Sequence, residues 1–276
     1  MPQPPIMADH YATRYTAMLH DTTAIVTGAG TGIGRAIAAR LHGHGARVVL
    51  AGRRRDRLEQ TAAALGGERT RVVPTDVTVP DQVRALAETA AEFGQGRIEV
   101  LVNNAGAMRF APVEQADEAH WINMMDVNCW GPRRLMTAVL PAMRAAGGGS
   151  IVNIASIAGE HAFPGAAAYG GAKRALRHIS QVLAMEEAAH GIRVNVICPG
   201  VVEDTELLDG AVPTEKQAQF LATFATVHPL GRNGKPDDVA DAVLFFASPM
   251  SRWITGAVLP LDGGRHLATN RPKLVD

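Results

Sequence analysis

Tyr169 and Lys173 stand four residues apart, a spacing that places both side chains on one face of a helix. A free phenol, with a pKa of about 10, is a poor proton donor or acceptor near neutral pH. A neighbouring ammonium group favours the phenolate and is expected to lower that pKa toward the working range. Ser156, thirteen residues before Tyr169, adds a hydroxyl suited to hydrogen-bonding a substrate oxygen. These residue types predict acid–base chemistry at an oxygen atom.

A glycine-rich turn follows the first apolar run, where residues 27–34 read TGAGTGIG and a helical pattern begins at once. Glycines let the backbone turn tightly and approach a pyrophosphate, which then lies at the helix N-terminus. The spacing is T-G-x-x-x-G-x-G rather than the common G-x-G-x-x-G. Its position between a strand and a helix favours a dinucleotide site over a simple strand end.

Seven short apolar runs, rich in valine and isoleucine, are spread along the chain. They are TAIVTG (23–28), RVVLAG (47–52), RVVPTD (71–76), EVLVNNAG (99–106), SIVNIAS (150–156), IRVNVICPG (192–200) and AVLPLDGG (257–264). Runs that are apolar on both faces are typical of parallel strands covered by helices on both sides. The runs predict an α/β, Rossmann-like, doubly wound sheet of seven parallel strands.

The stretches between these runs have helical periodicity, as in residues 34–45, 80–93 and 132–146. Strands and helices fill the chain and leave no linker, which predicts a single catalytic domain over residues 22–276. Residues 1–21 are polar and rich in proline, and we interpret them as an N-terminal extension. Residues 201–229 interrupt the alternation of strands and helices after the sixth strand. A long segment at this position of the fold commonly covers a ligand.

Composition excludes several classes of protein. The formal net charge is zero, with 27 basic and 27 acidic residues, which does not favour a nucleic-acid or membrane-surface partner. The sequence has neither a signal-peptide pattern nor a run of about 18 apolar residues, so we expect a cytoplasmic protein without a membrane span. We interpret Cys129 and Cys198 as buried free thiols. His42 and His44 face different ways on a helix, so they do not form a ligand pair, and we expect no metal site.

The motifs together resemble the short-chain dehydrogenase/reductase family. TGAGTGIG is similar to the family's cofactor signature, Asn103-Asn104-Ala105-Gly106 to its NNAG, and Tyr169 to Lys173 to its YxxxK. Pro199-Gly200 and Asp262-Gly263-Gly264 also match, in the right order, so the resemblance covers about residues 22–265. It implies a nicotinamide cofactor held by a set of residues that includes Gly28, Gly30, Thr31, Gly32, Ile33, Gly34, Asn104, Ala105, Gly106, Pro199, Gly200 and Val202.

The residues after the second strand bear on the choice of cofactor. An acidic side chain there would bind the ribose 2′-hydroxyl of NAD, whereas an arginine favours the 2′-phosphate of NADP. The strand runs into Arg53-Arg54-Arg55, so we predict NADP(H), with Arg53 on the phosphate and Arg54 as a second candidate. The alternative is that these arginines lie in water at the start of a helix and bind no phosphate. By resemblance, Asp76 and Val77 lie near the adenine.

The resemblance also assigns roles to the catalytic group. Lys173 would hold the nicotinamide ribose and tune Tyr169, and Ser156 would polarise the substrate oxygen. Asn128 matches the family's asparagine that supports the lysine through water, although a helix-capping asparagine is the alternative. The chain departs from the family's PGxxxT, because Asp204 stands where the threonine is usual and Thr205 comes one place later. Thr205 therefore remains only a candidate cofactor contact.

The substrate pocket is expected beside this group, bordered mainly by apolar residues. The candidates are Met108, Glu160, His161, Phe163, Leu207, Leu208, Phe220 and Phe224. They predict a mid-sized, mostly hydrophobic ketone or secondary alcohol. The helix after Tyr169 is apolar around much of its circumference, and by resemblance it implies a homo-oligomer, a tetramer or dimer.

Other functions fit the same motifs. A 3-oxoacyl-carrier-protein reductase would need a basic surface near the site, which a neutral chain does not indicate. A non-catalytic NADP-binding sensor or scaffold would need only the glycine turn and Arg53, so the Ser–Tyr–Lys set argues against it. Lyases or epimerases of this type usually have longer C-terminal substrate domains than this chain can hold.

Overall fold

A parallel sheet of seven strands forms the centre of the structure, a computed structural model that describes residues 18–268. The strands are β1 (Thr23–Thr27), β2 (Arg47–Gly52), β3 (Thr70–Pro74), β4 (Val100–Asn103), β5 (Gly149–Ile154), β6 (Ile192–Pro199) and β7 (Val258–Leu261). They lie in the order β3-β2-β1-β4-β5-β6-β7, and each neighbouring pair is parallel. The predicted seven-stranded parallel sheet is confirmed, whereas most of the predicted N-terminal extension, residues 1–21, lies outside the described residues.

Helices occupy most of the connections between strands. They are α1 (Gly32–Gly43), α2 (Arg55–Ala64), α3 (Pro80–Phe93), α4 (Glu118–Met125), α5 (Gly131–Ala145), α6 (Ala167–Glu186), α7 (Thr214–Val227) and α8 (Pro236–Ala247). A π-helical turn, Asp126–Trp130, joins α4 to α5. Residues 201–229, which interrupt the alternation of strands and helices in the sequence, contain a 3-10 turn, Glu206–Gly210, as well as α7. Helix α7 buries none of its residues fully, which explains why its periodicity is weak.

The helices form a layer on each face of the sheet because alternate strand residues point to opposite sides. Ala24 and Val26 of β1 pack with α1 and α8, whereas Ile25 packs with α3, α5 and α6. All five residues of β1 are buried, as expected for a strand between two layers. Both layers leave the carboxyl ends of the strands uncovered for the loops that carry the candidate site.

A chain of buried polar side chains connects the sheet to α6. Asn103 Nδ2 of β4 donates to Asn153 Oδ1 of β5 at 2.8 Å, and Asn153 Nδ2 donates to Ser180 Oγ of α6 at 2.8 Å. Ser180 Oγ in turn donates to the Leu176 carbonyl oxygen at 2.6 Å. Buried amides are stable only when they are paired, so this chain favours one position of α6 relative to β5.

Among residues 18–268, no helix has both the length and the apolar character needed to cross a bilayer.

We predict that Asn153→Ala destabilises the fold, because it leaves Asn103 and Ser180 without their buried partner. The expected loss in the free energy of unfolding is about 1–3 kcal/mol, the cost of the unpaired Asn103 amide, because Ser180 keeps its hydrogen bond to the Leu176 carbonyl oxygen. Urea unfolding followed by circular dichroism measures it. Thr137→Ala, on the exposed face of α5, is the control and should change stability by less than about 0.5 kcal/mol. Equal midpoints for both variants would contradict the structural role of Asn153.

Candidate functional site

The candidate site lies at the carboxyl ends of the strands, where the strand order reverses between β1 and β4. Ligands of open α/β sheets bind in this crevice because the loops from the two strands diverge there. A cavity of about 860 Å³ occupies the position and extends from the glycine turn to the 201–229 segment. All nineteen residues of the predicted cofactor set line it, as do Asn128 and Ser156.

The glycine turn fits closely against the end of β4. Gly28 has a φ of +65°, a left-handed conformation that favours glycine, and a Cβ there would lie 2.8 Å from Asn104 Nδ2. A Cβ at Gly34 would overlap the Gly28 carbonyl oxygen. These two glycines are therefore required by packing within the chain, in addition to any contact with a phosphate.

Thr27 joins the ends of the two strands. Its Oγ1 accepts hydrogen bonds from the backbone N–H groups of Asn104 and Ala105, both at 2.9 Å. Asn104 Nδ2 donates to the Thr27 carbonyl oxygen at 2.9 Å. Two loops far apart in sequence are thereby held together at the base of the cavity.

One end of the cavity is basic. Arg53 follows β2, is exposed to solvent and lines the cavity together with Arg54 and Arg57. Asp76 accepts hydrogen bonds from Thr78, at 2.9 Å from the backbone N–H and 2.7 Å from Oγ1. Burial alone would raise the pKa of Asp76, but the hydrogen bonds from Thr78 and the nearby Arg53 outweigh it and lower that pKa.

The other end brings together the predicted catalytic residues. Ser156 follows β5, and Tyr169 and Lys173 lie one turn apart on α6. Tyr169 and Lys173 are each 4% exposed, and Lys173 Nζ lies 5.8 Å from the centroid of the Tyr169 ring. Lys173 Nζ donates to the Ile154 carbonyl oxygen at 2.9 Å, which anchors it to β5.

Burial dominates the titration of both side chains. It raises the pKa of Tyr169 to about 12, while a hydrogen bond with Ser156 acts in the opposite direction. It lowers the pKa of Lys173 to about 8, which the nearby thiols Cys198 and Cys129 partly oppose. The sequence predicted that the Tyr169 pKa would be lowered, but burial of the phenol raises it.

Asn128 lies in the π-helical turn and is fully buried. Its Oδ1 accepts from the Ala107 N–H at 3.2 Å, and its Nδ2 donates to the carbonyl oxygens of Ala107 at 2.9 Å and Met124 at 3.0 Å. These bonds join α4 to the loop after β4, so Asn128 is not a helix cap. A Cβ at Gly106 would lie 3.0 Å from Asn128 Oδ1 and 3.4 Å from Lys173 Nζ, which places Asn128 and Lys173 beside the same glycine.

The displaced threonine still reaches the glycine turn. Asp204 has a φ of +55°, an uncommon conformation that turns the chain at the position where the family usually has threonine. Thr205 follows with its Cα 3.3 Å from where a Cβ on Gly32 would lie, and its Oγ1 donates to the Val202 carbonyl oxygen at 3.3 Å. Thr205 and Val202 both line the cavity.

The predicted substrate residues divide into two groups. One group lines the cavity: Met108, Phe163, Leu207, Leu208, Phe220 and Phe224. Glu160 and His161 do not line it, and their contact with substrate stays a prediction. Glu160 turns away to pair with Arg174 at 3.1 Å and with Arg177, and His161 is exposed.

Other lining residues did not figure in the sequence prediction. Phe110 and Pro164 add apolar surface to the lining. Arg57 and Glu206 add charged groups to it. Phe110 was detectable as an apolar residue shortly after NNAG at the end of a strand. Glu206 had no such signal because its neighbours come from distant parts of the chain. Within residues 18–268 no three histidine, cysteine, aspartate or glutamate side chains are grouped as a metal site.

We predict that the stability difference between wild type and Lys173→Met depends on pH. The folded-state pKa of Lys173, about 8, lies below the unfolded value of 10.5, so between these values the unfolded chain binds more protons. Wild-type stability relative to Lys173→Met should therefore rise between pH 8 and 10.5, by up to about 3 kcal/mol. Urea unfolding at pH 7, 8.5 and 10 measures it. Lys216→Met, on the exposed surface of α7, should show no such trend, and a flat difference for Lys173→Met would exclude the lowered pKa.

Comparison with known proteins places this geometry in a family. A family model described as enoyl-(acyl carrier protein) reductase matches residues 28–266. The chain is 39% identical to cis-4-hydroxycyclohexanecarboxylate dehydrogenase of Sinomonas cyclohexanicum, over 88% of this chain and 96% of that protein. It is 38% identical to 2-(S)-hydroxypropyl-CoM dehydrogenase 3 of Xanthobacter autotrophicus, over 89% and 97%.

A solved structure agrees with these relatives. The crystal structure of a protein assigned as a short-chain alcohol dehydrogenase from Sinorhizobium meliloti superposes with a TM-score of 0.84 at 33% identity, covering 91% of this chain and 98% of that one. The family resemblance read from the motifs is thus confirmed. The chain belongs to the short-chain dehydrogenase/reductase family, oxidoreductases that act on CH–OH groups with a nicotinamide cofactor.

Proposed function

We propose that the protein is an NADP(H)-dependent oxidoreductase that interconverts mostly apolar ketones and secondary alcohols. The observation that supports this most strongly is a single cavity that joins Arg53 at one end to Ser156, Tyr169 and Lys173 at the other. A protein that only senses the nucleotide would not need the second group.

The cavity fits a dinucleotide in size and in chemistry. Its volume is about 860 Å³, its glycine turn ends at the N-terminus of α1, and its basic end suits a phosphate. We propose that the cofactor is held by Gly28, Gly30, Thr31, Gly32, Ile33, Gly34, Arg53, Arg54, Asp76, Val77, Asn104, Ala105, Gly106, Tyr169, Lys173, Pro199, Gly200, Val202 and Thr205. When bound in its reduced form, the cofactor supplies a hydride to the substrate carbonyl carbon.

The chain's own residues manage the charge on the substrate oxygen. Ser156 donates a hydrogen bond to it, and Tyr169 delivers the proton that completes the alcohol. A pKa of about 12 keeps Tyr169 protonated near neutral pH, which is the form that ketone reduction requires. In alcohol oxidation Tyr169 must accept the proton, and the charged form of Lys173 beside the ring favours the phenolate. Asn128 acts as a positioning residue for the loop that borders Lys173.

The proposed substrate follows from the lining at the catalytic end. Met108, Phe110, Phe163, Leu207 and Leu208 are apolar, whereas the arginines of the described lining are grouped at the opposite end. The two named dehydrogenases that are similar to this chain act, by their names, on secondary alcohols, and one of those alcohols carries a carboxylate. A carboxylate would find no arginine at this end of the described cavity, so we favour neutral substrates.

Assembly and location remain part of the proposal. Val182 and Met185 on α6 and Ile122 on α4 are large apolar side chains that are 41%, 82% and 50% exposed. Their exposure supports a homo-oligomer, a tetramer or dimer, in which a second copy covers them. A monomeric mass by light scattering would contradict this assembly. A cytoplasmic location, expected from the sequence, is likewise part of the proposal.

We predict that Tyr169→Phe lowers kcat/KM for NADPH-dependent reduction of neutral ketones by about 10²- to 10⁴-fold, because it removes the proton donor. Binding of NADPH should weaken by less than about threefold. Loss of absorbance at the reduced-nicotinamide band measures turnover, and fluorescence titration measures binding. Thr137→Ala, outside the cavity, is the control and should retain wild-type activity. Tight NADPH binding without turnover of any ketone by the wild type would favour the sensor alternative.

We predict that Arg53→Ala weakens NADPH binding by about 10- to 100-fold, the range of a charge-assisted hydrogen bond, while NADH binding changes little. Arg55→Ala is the matched control, because Arg55 is exposed, pairs with Glu59 and does not line the cavity. Dissociation constants for both cofactors and both variants provide the measurement. A wild-type preference for NADH would exclude the NADP assignment without affecting the proposed roles of Ser156, Tyr169 and Lys173.

A further inference from the structure

Glu206 is a carboxylate of the cavity-covering segment that lies among groups suited to binding phosphate. It begins the 3-10 turn after β6 and forms an ion pair with Arg54, the residue preceding α2. Its Oε2 also accepts a hydrogen bond from Thr31 Oγ1, at the start of α1, at 3.4 Å. One side chain thus connects the glycine turn, the end of β2 and the covering segment.

The partners of Glu206 are the kind of groups that bind anions. A guanidinium group pairs with carboxylate and phosphate in similar geometry, and a helix N-terminus favours negative charge. Helix α1 has no acidic residue in its own first turn, and Thr31 makes no capping hydrogen bond with its side chain. The negative charge beside this helix start therefore comes from Glu206, 175 residues away in the sequence.

We propose that Glu206 is a specificity-determining residue that competes with the 2′-phosphate of the cofactor for Arg54. A cofactor without this phosphate leaves the Arg54–Glu206 pair intact, so the covering segment stays attached to the start of α2. The phosphate of NADP would bind Arg54 and break its ion pair with Glu206. The 3-10 turn Glu206–Gly210 would then lose its attachment to the start of α2. This inference rests on the proposed function only in placing the adenosine ribose near Arg53 and Arg54.

The size of the effect follows from solvent exposure. The Arg54 and Glu206 side chains are 51% and 44% exposed, and ion pairs of this kind contribute little, since water and salt screen them. Removing the competing carboxylate should therefore tighten binding of a 2′-phosphate by a factor of about 2 to 5 at low salt, and by less at high salt.

Calorimetric titration with two adenosine nucleotides tests the proposal, with adenosine 2′,5′-bisphosphate and adenosine 5′-monophosphate as the probes. Glu206→Gln should tighten binding of the bisphosphate about two- to fivefold and change binding of the monophosphate by less than about 1.5-fold. Asp209→Asn is the matched control, because it removes a charge from the same 3-10 turn, where Asp209 pairs with Gln217 rather than Arg54. Unchanged bisphosphate binding in Glu206→Gln would overturn the proposal, as would equal tightening of both nucleotides or the same gain in Asp209→Asn.

Hydrogen exchange of the intact protein tests the release of the covering segment. In the wild type the bisphosphate, but not the monophosphate, should raise the exchange rate of amides in residues 206–210. In Glu206→Gln that rate should already be high and should not respond to either nucleotide. Protection by both nucleotides alike in the wild type would overturn the release.

The outcomes separate this inference from the cofactor assignment. If the wild type prefers the bisphosphate and Glu206→Gln adds nothing, the role of Glu206 is wrong while the NADP proposal stands. If the wild type binds both nucleotides equally but Glu206→Gln selectively tightens the bisphosphate, competition by Glu206 is supported and the NADP proposal fails.

Discussion

The buried ammonium group of Lys173 is the constraint on which the rest of the site depends. A cation removed from water is stable only with close partners, and the Ile154 carbonyl oxygen supplies one at 2.9 Å. Gly106 lies directly beside the ammonium group, since a Cβ there would be in van der Waals contact with Nζ at 3.4 Å. Asn128 in the π-helical turn borders the same glycine, and α6 places Tyr169 one turn from the cation. Strand, loop, turn and helix therefore meet around this single group.

The two ends of the cavity use electrostatics differently. At the catalytic end Tyr169 and Lys173 are buried, so their pKa values are displaced strongly and their positions are fixed by packing. At the basic end Arg53, Arg54 and Glu206 are exposed, and their interactions are weak and screened. The chemistry proposed for this protein thus rests on rigid groups, whereas the choice of cofactor rests on contacts that single substitutions can adjust. This division suits a fold that carries many substrate specificities on one scaffold.

Much of this architecture was predictable because its signals are local. Apolar runs located the strands, and the order of five motifs indicated the sheet and the cavity lining. What depends on distant contacts was not predictable. Glu160 was assigned to the substrate pocket, but its partners Arg174 and Arg177 lie on α6. Burial of Tyr169, which reverses the expected direction of its pKa shift, is set by packing across several elements. Helix α7 has few buried positions, so its sequence carries only a weak helical pattern.

The central claim is that hydride passes between a nicotinamide cofactor and a carbonyl carbon beside Tyr169. The most direct measurement uses NADPH carrying deuterium at nicotinamide C4, prepared separately in each of its two stereochemical forms, with a panel of neutral ketones. Mass spectrometry of the product alcohols then locates the label. One deuterium is expected on the carbinol carbon from one of the two forms and none from the other. Alcohol without deuterium from either form, or no alcohol from any ketone with NADPH bound, would contradict the account.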